Sequence, residues 1–96
     1  MLKINSENEI LCPDCGNNYT HHTSVNVITR DCEDGPGTSA LSTYEGVSVS
    51  RVEASKIFGR RDVIEIELWC ESCGEDAPKK KLIINQHKGN TQIQWV

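Results

Sequence analysis

Two five-residue stretches, CPDCG at residues 12–16 and CESCG at residues 70–74, constrain this chain more than any other feature. Two residues between cysteines curl the backbone until both sulfurs point at one atom, and N–H groups within the turn can bond to the thiolates. Glycine directly after the second cysteine permits the positive φ that so tight a turn commonly requires. Cys12, Cys15, Cys70 and Cys73 therefore offer four soft, negatively charged ligands, the closed tetrahedral set preferred by structural zinc. One structural Zn2+ is the expected cofactor.

The other uses of cysteine fit less well. Five cysteines leave one over in any pairing scheme, which speaks against a disulfide framework. A thioredoxin-like redox pair needs one CxxC to open a helix, yet the residues after Cys15, GNNYTHHTSVNVIT, are rich in threonine, valine and asparagine and read as strand. Iron held by four thiolates uses the same ligand set, and spacing alone leaves it open. Cys32 has no partner cysteine nearby in sequence and reads as a solvent-exposed spare thiol.

The paired knuckles resemble the zinc ribbon family, with rubredoxin-like CxxC turns. In that family the metal joins two hairpin-like turns at one end of a small antiparallel sheet. The resemblance covers about ten residues and departs from the compact pattern in one respect. Here 54 residues separate Cys15 from Cys70, against the roughly 15 to 20 of the compact four-cysteine arrangement. A large insertion or a larger sheet must lie between the knuckles. More loosely, WCESCG followed by INQHKGNTQIQW is similar to small zinc-ribbon proteins of bacterial and phage genomes. That likeness suits a phage or mobile-element accessory protein that modulates a host enzyme.

A chain of 96 residues implies a single domain, 1–96, with a modest core. Alternation of apolar and polar residues dominates it. Tyr19, His21, Thr23, Val25 and Val27 mark one half-buried strand. In GVSVSRVEASKI the phase changes after Val49 and resumes on Val52, which predicts a bulge near Ser50. In RDVIEIELWC, Ile64, Ile66 and Leu68 are expected to face the core, with Glu65 and Glu67 opposite. KKLIINQ and TQIQWV form a hairpin, for which Gly89 and Asn90 are expected to supply the positive φ. The stretch DCEDGPGTSALSTYEG, 31–46, reads as a flexible hairpin loop, because its GPG cannot sit inside a central strand; it is either a mobile excursion with no role or, as the alternative, a binding loop that presents Leu41 and Tyr44. The expected architecture is mainly β: an antiparallel sheet of about five strands with the four-cysteine site at one end.

Composition narrows the function. No apolar run approaches the roughly 20 residues of a membrane-spanning helix. The opening MLKINSENEI has no apolar stretch of signal-peptide length, so a cytoplasmic location is expected. Four thiolates close the zinc shell, and no P-loop, GxSxG or HExxH is present, which points away from an enzyme. His21 and His22 read as sheet-surface residues, and His87 lies beside a turn. Four thiolates and one Zn2+ take the formal charge from −4 to −6, which disfavours nucleic acid as a partner. Basic clusters at Arg60–Arg61 and Lys79–Lys81 keep a nucleic-acid-binding, transcription-related zinc ribbon as the alternative. The preferred expectation is a non-catalytic module that binds another protein through the Glu65 and Glu67 face, the acidic knuckle rim, the 31–46 loop or an exposed sheet edge, which could also pair with a second copy.

Overall fold

In the computed structural model, which describes residues 2–96, six strands form one antiparallel sheet. They are β1 (Thr20–Arg30), β2 (Gly37–Thr43), β3 (Gly46–Val52), β4 (Val63–Cys70), β5 (Lys80–His87) and β6 (Asn90–Trp95). Their order across the sheet is β3-β2-β1-β4-β5-β6. The mainly β, antiparallel class matches the expectation with one strand more, and the described helix is one 3-10 turn at Ala54–Lys56.

The added strand is β2, inside the stretch expected to be a flexible loop at 31–46. Its sequence GTSALST carries no clear alternation, so nothing local announces a strand. Pairing on both sides makes it one: Val25↔Ser42 through Arg30↔Gly37 with β1, and Gly37↔Val52 through Thr43↔Gly46 with β3. The loop shrinks to a turn over 31–36 and a two-residue turn, Tyr44 and Glu45, closed by Gly46 at φ 130°. Pro36 lies just outside the ladder, where its missing N–H costs nothing.

Gly37 opens β2 against β1 at close quarters. A Cβ there would lie 2.5 Å from the Thr29 carbonyl oxygen and 3.1 Å from the Arg30 Cα. Both are backbone atoms of a central strand and cannot swing aside. Gly37→Ala is expected to cost about 1–3 kcal/mol by overpacking, read as a lower denaturant midpoint with an unchanged slope. A variant as stable as the parent would show that β2 can drift away from β1.

Three other local expectations are corrected. The register between β2 and β3 is unbroken, so Ser50 carries no bulge; Val47 and Val49 simply occupy one face of β3 and Val52 the other. The irregularity sits in β1, between His22 and Ser24. In the β5–β6 hairpin the positive φ values belong to Lys88 (50°) and Gly89 (81°), while Asn90 already pairs with His87 as the first residue of β6.

The two faces of the sheet differ. On one, Ile28, Val63 and Ile83 pack with Ile57 from the connection 53–62, and Val52 and Phe58 flank them. Glu65 and Glu67 share this face with Val63, as strand alternation requires. On the other, Leu68, Cys70 and Leu82 are buried, while Ile64 and Ile66 are only half-buried. The alternation in β4 is as expected, but the tightest aliphatic cluster lies on the glutamate side. The cause is the covering layer: residues 53–62 fold over the glutamate face, whereas the N-terminal segment covers only the cysteine end of the other. There Thr20 donates to the Ile10 carbonyl at 3.2 Å, and Lys80 meets Asp14 at 3.2 Å.

Arg30, which no sequence pattern singled out, holds the far end together. It is only 9% exposed. Its guanidinium donates to the carbonyls of Gly35, Ile57, Gly59 and Arg61, and its own N–H donates to the Asp62 carboxylate at 2.8 Å. One side chain thereby fastens both the 31–36 turn and the 53–62 connection to β1.

Candidate metal centre

The central strands β1 and β4 bring the two knuckles together. Cys12 and Cys15 lie just before β1, Cys70 ends β4, and Thr20 and Cys70 are cross-strand partners. The ladder continues past the strand end, where the Glu71 N–H donates to the Tyr19 carbonyl at 3.1 Å. Each knuckle is closed by its glycine: the Gly16 N–H donates to the Cys12 carbonyl at 2.9 Å and the Gly74 N–H to the Cys70 carbonyl at 3.1 Å. Both glycines have positive φ, 78° and 90°, a conformation that a side chain would strain.

Sulfurs from residues more than fifty positions apart converge. Cys12 and Cys73 Sγ are 3.8 Å apart, Cys15 and Cys70 3.5 Å, and Cys15 and Cys73 3.8 Å. All four lie within 4.8 Å of one another. Thiolates arranged tetrahedrally at ~2.3 Å from a metal sit ~3.8 Å apart, so donor type and spacing both suit a four-sulfur metal site. The separations are too long for a disulfide, and all five cysteines are free. Cys32 is exposed in the 31–36 turn and takes no part in the cluster.

The thiols share their protons unequally. Burial pushes the Cys12 thiol up, but N–H groups of Cys15 and Asp14, with the thiols of Cys70 and Cys15, bring it down to about 7. Burial and the neighbouring Cys12, Cys70 and Cys15 push Cys73 up to about 12. Cys15 is also raised: the Asn17 N–H favours its thiolate, but Cys70 and burial outweigh it. Without a metal, one negative charge is tolerated and further ones are resisted; a divalent cation removes that conflict.

Lys80 is a neighbour that the sequence did not disclose. Its side chain is 12% exposed. Burial opposes its charge, yet the bond to Asp14 and the charges of Cys12 and Cys73 hold its pKa above the ordinary lysine value. It supplies positive charge beside a site that becomes doubly negative when four thiolates bind a divalent ion. Strand alternation separates it from Lys81, whose cross-strand partner on the opposite face is Glu67, so the lysine cluster does not form one patch.

The remaining candidates are dispersed. His21 and His22 are exposed on β1; His21 stacks on Trp69 at 4.7 Å between ring centroids and meets Glu71 at 2.6 Å. His87 closes β5 at the hairpin turn, and neither it nor the β1 histidines join the sulfur cluster. Arg60 pairs with Glu33 and Asp34, and Arg61 with Glu33. Tyr44 is fully out in solvent, whereas Leu41 lies within β2.

Fold and site together define a small antiparallel β-sheet protein with a four-cysteine centre that can hold a metal. No protein-family model matches the chain, and neither the curated proteins nor the solved structures include a significant match. Among the described residues, no helix is long and apolar enough to cross a membrane.

Proposed function

We propose that this chain is a non-catalytic structural-zinc module that acts by binding another protein. The observation that carries the metal assignment is the all-cysteine tetrad, with sulfur spacings of 3.5–3.8 Å between segments distant in sequence. A shell of four thiolates leaves no position for water or substrate, so the ion's contribution is mechanical. Cys12 and Cys15 would tie the N-terminal segment to the ends of β1 and β4, and Cys70 and Cys73 would anchor the turn into β5. Such a closure offsets loop entropy that a small core cannot easily cover.

A protein partner is favoured over nucleic acid by the state of the cations. Arg51, Arg60, Arg61 and Lys80, four of the ten cations, each meet a carboxylate of this same chain, including both arginines of the Arg60–Arg61 cluster, and counterion release needs cations free to meet phosphate. Glu65 and Glu67 are half-buried beside Asn26 and Thr23, which donate to their carboxylates at 3.3 and 3.5 Å. They present acidic groups on an ordered strand.

Two measurements test this reading. Elemental analysis is expected to find about one zinc per chain in a colourless preparation; an iron-coloured protein would replace zinc with iron, and metal-free folded protein would end the assignment. Chelator competition should show affinity falling as pH falls, because each thiol must lose its proton to bind. For the partner, Glu65→Lys with Glu67→Lys should abolish capture of a binding protein from the source cell while zinc content is kept. Tight, salt-sensitive DNA or RNA binding near physiological ionic strength would favour the nucleic-acid reading instead.

A further inference from the structure

Cross-strand register arranges the face opposite Glu65 and Glu67 into rows that run across the whole sheet. One row is Val49, Ala40, Val27, Ile64, Ile84 and Ile93, each residue directly opposite the next on the neighbouring strand. It crosses all six strands without a polar side chain. The adjacent row is Val47, Ser42, Val25, Ile66, Leu82 and Trp95. Beyond the first row lies a polar margin of Arg51, Thr38, Thr29, Gln86 and Thr91, in which Arg51 bonds to Thr38 and to the Asp31 carboxylate, and Gln86 to Thr91. The equivalent row on the other face reads Ser48, Leu41, Asn26, Glu65, Ile83 and Gln94. The aliphatic residues are thus sorted to one side.

That side is open. Val47 and Val49 are each 68% exposed, Ile93 45% and Val27 43%. In the adjacent row Leu82 is buried and Val25, Ile66 and Trp95 are half-buried, so the uncovered surface is the first row together with the β3 end of the second. A sheet normally buries its apolar face against another layer, and contiguous exposed apolar patches of more than a few hundred Å2 mark interaction sites.

We propose that a second copy of this chain supplies the missing layer, face to face, giving a two-sheet dimer. Area permits it: the two rows with their polar margin, six strands at ~4.8 Å spacing over about 20 Å of strand length, give at most roughly 600 Å2 per copy, less where Leu82 is already covered. The pair then covers at most about 1,200 Å2, the size at which stable specific interfaces begin. Charge selects the occupant. Two acidic chains with a formal charge of −4 each meet with least repulsion through surfaces free of carboxylates, and both rows are uncharged. A dissimilar partner would have no charge in these rows to recognise. The apolar centre and polar margin have the anatomy of a specific interface, and packed sheets at ~10 Å would bring the two aliphatic rows into contact.

This dimer goes beyond the protein-interaction reading, since it uses the face opposite Glu65 and Glu67, and it does not depend on which metal is bound. Sedimentation equilibrium of the zinc-loaded chain from about 1 to about 100 µM is expected to show a mass that rises to twice the 10.7 kDa chain mass. Val49→Asp and Ile93→Asp, at opposite ends of the row on the two edge strands, should each weaken association at least ~100-fold by burying an unpaired carboxylate. Ser48→Asp, next to Val49 on the opposite face, should leave it intact. Zinc content and circular dichroism of the variants verify that the fold survives. A zinc-loaded monomer throughout the range overturns the dimer and leaves the metal assignment standing. Equal loss in Val49→Asp and Ser48→Asp would place association at the β3 edge and overturn the face; so would a folded pair of Asp variants that still dimerise.

Discussion

Replacing Cys12, Cys15, Cys70 or Cys73 by serine is expected to abolish metal retention and to unfold at least the cysteine end of the molecule. Structural sites of this type contribute apparent free energies on the order of 10–16 kcal/mol, while a typical domain has a net stability of about 5–15 kcal/mol. The four positions should behave as a unit, since three thiolates cannot close the shell. Cys32→Ser, in an exposed turn outside the cluster, should stay within about 0.5 kcal/mol of the parent. Zinc stoichiometry and thermal melting measure both halves of the expectation. Equal damage at all five cysteines would remove the four-ligand assignment.

Arg30→Ala is expected to be the most damaging change away from the cysteines, at about 4 kcal/mol, because buried carbonyls lose a charged donor and are left without partners. The affected acceptors belong to Gly35, Ile57, Gly59 and Arg61. Arg30→Lys should recover only part of the loss, since an ammonium cannot reproduce the planar fork that spans them. The residue ends β1, an eleven-residue strand whose other end meets the knuckles, so roughly 30 Å separates it from the metal centre. Denaturant unfolding should therefore show lower stability while zinc content holds. A loss under about 1 kcal/mol would mean that water replaces the guanidinium.

These two sites were legible to very different degrees. The cysteine tetrad is written in local spacing: CxxCG dictates the turn, the glycine supplies φ, and thiol chemistry narrows the cofactor. Arg30 is silent in the sequence, one arginine among several at a strand end, because its acceptors are main-chain carbonyls that any residue possesses. Lys80 was equally hidden, since proximity to Cys12, Cys73 and Asp14 depends on how the N-terminal segment lies across the sheet.

The same division runs through the fold. Strands β1, β4, β5 and β6 follow from alternation, as do the mainly β class and the position of the clamp, because side-chain period is a local property. Strand β2 does not, for a run of serine, threonine, glycine and alanine becomes a strand only when β1 and β3 pair with it on either side. Nor does the identity of the covered face: Ile64 and Ile66 have the pattern of core residues, yet the 53–62 connection folds over the side that carries Val63, Glu65 and Glu67. Alternation determines which residues share a face, whereas the burial of that face depends on where the connecting chain lies.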